Sequence, residues 1–337
     1  MRVSLVDVAV RAGVSPGTVS HVLNGNAAAR IAPATQERIR RIAEELGYRP
    51  NMFARGLLGK PTKTLGFLVA GLENPFYVGV SKALEGAARD AGYQLLLYAT
   101  IAEPWVYPEY KIRSSLLVDG MFVWSRDRLD LTELLGAPVH PFPIVYLGYE
   151  GPGPMNYAAF DLYSGARSVM EHLVGCGYRR IAYVQSGWVT GSDPLDPRTR
   201  VYTEVCREAG IEPEYVVPDA ETSATIAGLR AGLEVGARSA GKRPDALFCY
   251  NDVMAIGVCQ GLRRAGLRIP EDVAVTGFDG IELGQCLDKP LTTVLTPPEP
   301  LAAAAVDILL RQLFGESDAE PKGVTIPTTL LVGKTTR

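Results

Sequence analysis

The chain has 337 residues, 47% of them hydrophobic, a formal net charge of −3 and five cysteines. That length suits two or three domains with a sizeable core, and no apolar run approaches the about eighteen residues of a membrane span. No charged-then-apolar leader opens the chain and the cysteines are odd in number and widely spaced, so a soluble, cytoplasmic protein is expected, with free thiols, no metal and no cofactor.

The modest total hides a basic head on an acidic body. Residues 1–60 carry nine Lys and Arg against four Asp and Glu, a net of +5, and the remainder carries −8. A basic module of this kind is the electrostatic footprint of a surface that meets phosphates.

In chain order, Leu5, Val8, Ala9 and Ala12 recur at helical spacing behind Ser4, a capping residue, and Gly13 ends that helix. Ser15 then caps a second helix with Pro16 in its first turn, where the missing N–H costs nothing. Val19, Val22 and Leu23 form its apolar stripe, so Gly17, Ser20, His21 and Asn24 face the other way. Ile39, Ile42, Ala43 and Leu46 supply a third stripe, which completes a helix-turn-helix headpiece. Ala32 stands where the third helix would carry a hydroxyl cap.

DVAVRAGVSPGTVSHVLNG followed by ERIRRIAEELGYRPNMFARGL resembles the DNA-binding headpiece and hinge of the LacI family. The resemblance implies that the second helix enters the major groove of a pseudo-palindromic duplex. Ser15, Pro16, Gly17, Ser20, His21 and Asn24 then form the reading surface. The family's two positions after the capping serine commonly carry base-reading side chains, whereas Pro16 and Gly17 offer none, which places direct readout on His21 with help from Ser20 and Asn24. Residues 51–58 match the family's hinge, with Arg55 in it and Leu57 at the position of an apolar wedge that kinks the central base step.

Beyond Thr64 the pattern changes. Leu65 to Ala70 is an apolar run, Phe76 to Asp90 has helical periodicity, and Leu95 to Tyr98 is apolar again. The same β-α-β grammar recurs at IAYVQ from Ile181 and at ALFCY from Ala246, which predicts α/β lobes with parallel sheets covered on both faces. VDGMFV, FDLYSGARSVMEHLVGCGYRRIAYV, RPDALFCYNDVMAIG and PLTTV extend the resemblance, which implies a periplasmic-binding-protein-like body of two lobes. The expected boundaries are a headpiece at 1–50, a hinge and linker at 51–63 and a body at 64–337. Within the body, an N-lobe covers about 64–160 and 291–322, and a C-lobe about 161–290 and 323–337.

Ligands of open α/β sheets bind at the carboxyl ends of strands. That places Asn74, Phe76, Tyr77, Trp124, Asp161, Asn251 and Asp279 around one cleft, and the resemblance adds Arg198 as the effector-binding arginine. Amide, carboxylate and guanidinium groups beside aromatic rings suit a sugar or nucleoside. Asn251 and Asp279 also fit plain capping and turn roles.

An enzyme is not expected, since no phosphate-loop, dinucleotide or zinc-protease motif occurs and the only histidines are His21, His140 and His172. The chain therefore reads as a homodimeric, ligand-responsive repressor of transcription. The alternative is a ligand sensor that acts through a protein partner with little operator readout.

Overall fold

The computed structural model describes residues 3–23, 31–48, 61–100, 118–124, 142–148, 155–185, 196–218, 223–315 and 321–337. Asn24, His140 and Trp188, the hinge with Arg55 and Leu57, and the stretch 101–110 lie outside them. The chain divides into two compact units, Met1–Thr62 and Lys63–Arg337.

The first unit packs α1 (Leu5–Ala12), α2 (Pro16–Leu23) and α3 (Pro33–Glu45) around Val8, Ala9, Ala12, Val19, Val22, Ile39, Ile42 and Ala43. Ser4 and Asp7 form a reciprocal cap: the Asp7 N–H donates to Ser4 Oγ at 3.3 Å and the Ser4 N–H to Asp7 Oδ2 at 2.8 Å. Those Ser4 donors hold the Asp7 carboxyl below the usual range. Gly13 leaves α1 in the left-handed conformation, at φ 64°.

At α3 the cap residue is Ala32, which makes no side-chain cap bond. Pro33 removes one orphan donor, and the Gln36 side-chain amide reaches back to the Ile31 carbonyl at 2.9 Å. Ala32→Ser should restore the missing acceptor and stabilise the headpiece by about 1 kcal/mol. Slower amide exchange in α3 of the full chain is the readout, and unchanged exchange would show that the missing cap bond does not limit the stability of this helix.

The second unit begins with β1 (Thr64–Ala70), α4 (Pro75–Asp90), β2 (Gln94–Thr100), β3 (Gly120–Trp124), β4 (Ile144–Gly148) and β5 (Tyr157–Phe160). With β11 (Gly323–Ile326), these strands form one parallel sheet in the order β11-β5-β4-β3-β1-β2. Its central strands are buried almost throughout, as their unbroken apolar runs require.

The chain then crosses into a second lobe. This lobe contains α5 (Leu162–Gly175), β6 (Ile181–Val184), α6 (Pro197–Ala209), β7 (Glu214–Val216), α7 (Ala224–Ala237), β8 (Ala246–Cys249), α8 (Asp252–Arg264), β9 (Ala274–Thr276) and the short α9 (Glu282–Gln285). Its parallel sheet has the order β7-β6-β8-β9. β10 (Thr293–Leu295) and β12 (Thr329–Leu331) pair antiparallel, while α10 (Pro298–Leu313) returns to pack on α4 and on β3, β4 and β5. One apolar cluster runs from Phe67, Phe122 and Leu147 through Ala166 and Met170 to Tyr183 and Phe248.

Two crossings fall later than expected. Thr276 bridges Thr292 and Asp279 bridges Leu295, so residues 291–295 stay with the second lobe and the return begins at α10. At the far end β11 pairs with β5 in the first sheet, so 323–326 belong to the N-lobe. The chain recrosses only afterwards, where the Thr335 hydroxyl bonds the Val275 carbonyl at 2.6 Å and receives the Thr292 N–H at 2.9 Å.

The packing of α7 on α8 is set by glycine. Gly228, Gly232 and Gly236 on α7 and Gly257 and Gly261 on α8 repeat every fourth residue, on one face of each helix. A Cβ on Gly228 or Gly232 would overlap the carbonyl oxygen of Met254 or Val258, and one on Gly257 or Gly261 that of Thr225 or Leu229. The two helices therefore meet backbone to backbone.

Candidate functional site

The headpiece presents its second helix as expected from its stripe. Val19 and Val22 are buried, while Pro16, Gly17 and His21 are exposed and Ser20 is half-buried. Ser15 Oγ receives the Thr18 N–H at 3.2 Å and lies 2.9 Å from the Thr18 hydroxyl. The serine is thus occupied as a cap, and it fixes where the helix starts.

In the body, the ends of the parallel strands converge on a cleft with about 380 Å³ of open space, part of it solvent at the mouth. One wall is aromatic. Phe76 and Tyr77 open α4, Trp124 ends β3, and the Phe76 ring meets Tyr77 and Trp124 edge-on at centroid distances of 5.2 and 5.4 Å. Phe160 backs this group at 6.1 Å from Phe76. Gly148, at the end of β4, makes room: its φ is 91°, and a Cβ there would lie 2.5 Å from the Trp124 ring.

The opposite wall is polar. Arg198 sits in the first turn of α6, 4% exposed, with its guanidinium 3.8 Å over the Tyr250 ring and Nη1 donating to the Tyr250 carbonyl at 3.1 Å. Asn251 precedes α8, and its Oδ1 receives the Met254 N–H at 3.0 Å, so the capping role is real while the residue also lines the cleft. Asp279 follows β9 at a strained φ of 117°. Its carbonyl accepts the Thr296 hydroxyl at 2.9 Å, and its Oδ2 accepts from Asn74 Nδ2 at 3.3 Å. That last bond spans the lobes, because Asn74 Oδ1 caps α4 by receiving the Phe76 N–H at 3.1 Å.

Burial dominates the titration of this wall. It pushes the Asp279 carboxyl well up, reinforced by the neighbouring Asp252 and opposed by Arg198 and the Asn74 amide. Asp252 is itself raised to about 7 by burial, against hydrogen bonds from the Thr293 hydroxyl and the Ile281 N–H. Among the described residues no group of three or more His, Cys, Asp and Glu is placed to hold a metal ion.

Seven of the eight residues expected here line the cleft: Asn74, Phe76, Tyr77, Trp124, Arg198, Asn251 and Asp279. Asp161 does not. Its Oδ1 receives the Ser164 N–H at 2.9 Å, capping α5, and its neighbours Phe160 and Leu162 reach the cleft instead. Gly148, Phe160, Leu162, Tyr250 and Thr296 line the cleft without being among the expected residues. Tyr250 and Phe160 adjoin expected residues, so the strand-end signal finds them to within one position. Gly148 and Thr296 carry no such signal, since one contributes only by lacking a side chain and the other arrives through a chain crossing.

Comparison with known proteins follows this division. Residues 4–51 match the model of bacterial regulatory proteins of the lacI family, and residues 170–336 match the periplasmic binding protein-like domain. The chain is 30% identical over 348 residues to the HTH-type transcriptional regulator DegA of Bacillus subtilis (strain 168), covering 100% of this chain and 98% of that one. It is 32% identical over 314 residues to the HTH-type transcriptional repressor PurR of Aliivibrio fischeri (strain ATCC 700601 / ES114), covering 92% and 91%. Among solved structures, the lac repressor dimer bound to operator and the anti-inducer ONPF superposes with a TM-score of 0.82 at 26% identity, over 100% of this chain and 99% of that chain. No helix among the described residues is long and apolar enough to cross a membrane.

Proposed function

The chain belongs to the LacI family of bacterial regulatory proteins, and on that premise we propose that this DNA-binding transcriptional repressor answers to a sugar or nucleoside held between its two lobes. The observation that carries the reading is the convergence of Asn74, Arg198, Asn251 and Asp279 on an aromatic wall at the strand ends. Amides and carboxyls of this kind match hydroxyl pairs, and aromatic edges match a sugar or base ring. His21, Ser20 and Asn24 read bases, Pro16 and Gly17 let the helix approach the groove closely, and Arg55 and Leu57 act in the minor groove.

A homodimer presents two such headpieces to a two-fold operator. The apolar side chains of Val78 on α4, Leu96 and Leu97 on β2, and Ile226 and Leu233 on α7 stand exposed and would be covered by dimerisation. Ligand alters lobe closure, and with it the separation of the two hinges. By linkage, operator must change ligand affinity by the same factor that ligand changes operator affinity.

The test is selection of bound sequences from random duplex DNA at a fixed salt concentration, with and without a panel of sugars and nucleosides. A palindrome with a flexible central step should be enriched, and one class of the panel should alter the enrichment. His21→Ala should relax sequence preference more than it weakens nonspecific binding. If no sequence is enriched under any condition, the sensor acting through a protein partner becomes the better reading.

A further inference from the structure

Arg198 is the one cation among the described residues lining the cleft, and its charge is already matched from within. Asp196 has no exposed surface. Its Oδ1 receives Arg198 Nε–H at 3.0 Å and its Oδ2 receives Nη2–H at 2.8 Å, a two-pronged fork between planar groups. The same Oδ1 receives the Arg198 backbone N–H at 2.9 Å, so Asp196 is also the cap of α6. Only Pro197 separates the two residues. The first turn of the helix, rather than any ligand, places this carboxylate on its guanidinium.

We propose that Asp196 is the residue that sets the charge of the effector: by neutralising Arg198 inside the cleft it selects an uncharged ligand and rejects phosphorylated or carboxylate-bearing ones. The inference rests on the reading of this cleft as the effector site and specifies its chemistry. With Asp196 in place, the Arg198 pair is neutral, and the carboxyl among the described residues lining the cleft is that of Asp279. Among the described residues, a phosphate or carboxylate brought here meets no unmatched cation and has two carboxyls close by. Uncompensated charge is the most costly thing to bury. A hydroxyl or a ring carbonyl asks for no counter-ion. The Asn251 amide, the Thr296 hydroxyl and the Asp279 carboxyl serve it as neutral partners, and burial favours the protonated Asp279, which donates as well as accepts.

The experiment uses the purified full chain. Thermal unfolding and calorimetric titration are run against matched pairs, glucose with glucose 6-phosphate and adenosine with AMP, and against inorganic phosphate with chloride at equal ionic strength as the reference. The phosphorylated compounds and phosphate should leave the native chain at its chloride midpoint. Asp196→Asn should bind phosphate about tenfold more tightly or better than the native chain, the worth of one charge-assisted hydrogen bond. A phosphorylated compound that binds the native chain and is lost in Arg198→Gln overturns the proposal, as does a folded Asp196→Asn with no gain for phosphate. Should Asp196→Asn fail to fold, the double variant Asp196→Asn with Arg198→Met decides: recovered folding upholds the internal pairing, and continued failure overturns it. If no neutral sugar or nucleoside binds either, the effector reading alone fails, because the phosphate arm reports on the charge pair without it.

Discussion

Gly257→Leu should lower the thermal midpoint by roughly 6–10 °C, corresponding to about 3 kcal/mol at the upper end of overpacking costs. The reason lies in what a side chain would meet. At most core positions an added methyl group presses on another side chain, which can change rotamer. At Gly257 it meets the carbonyl oxygen of Thr225, which is fixed in the first turn of α7. The only relief is to move α7 away from α8, and that also separates Gly228 from Met254, Gly232 from Val258 and Gly261 from Leu229. Gly241→Ala provides the control, since a Cβ there has no atom within 4 Å. A Gly257→Leu midpoint equal to that of the control would mean that the two helices do not touch through their backbones.

Arg198→Ala should remove both stability and response. The Asp196 carboxylate would remain fully buried without its guanidinium, and breaking such a pair from one side costs about 3–5 kcal/mol. The Tyr250 ring would lose the cation lying 3.8 Å above it, and the Tyr250 carbonyl would lose a donor. Operator affinity measured in a ligand titration should then be flat, because the cleft can no longer hold an effector in one geometry. Arg200→Ala is the comparison: its guanidinium lies over the Tyr163 ring on a side chain 53% exposed, and its loss should leave both readouts nearly unchanged. A ligand-responsive Arg198→Ala protein would move the effector contacts elsewhere on the wall.

The parts of this molecule that could be read from sequence are those in which local chemistry fixes local structure. Ser4, Gly13, Ser15 and Pro16 are start and stop signals within one turn of the bonds they make, so the headpiece was legible residue by residue. The parallel strands were equally plain, because burial on both faces leaves an unbroken apolar run in β1 and β3. The crossings were less so. GVTI at 323–326 has no local feature that assigns it to β5 of the first sheet rather than to the lobe it leads into, since strand pairing is decided by partners far away in the chain.

Asp161 differs for another reason. A carboxylate at a strand end serves equally well as ligand contact or helix cap, and only geometry shows that its Oδ1 receives the Ser164 N–H and that the residue lies outside the cleft lining. The cap at Asn251 and the cleft are compatible because an amide has two ends. The glycines of α7 and α8 acquire meaning only once the two helices are known to face each other.

Trp124 has a practical consequence. Its indole is 6% exposed, packed against Phe76 and Tyr77, and forms part of the cleft surface. The emission of an indole depends on the dielectric around it and on nearby quenching groups, and an arriving ligand would change both. The chain has three tryptophans, at 105, 124 and 188. With Trp105 and Trp188 replaced by phenylalanine, the remaining fluorescence becomes a built-in optical gauge of cleft occupancy, free of dyes and independent of DNA.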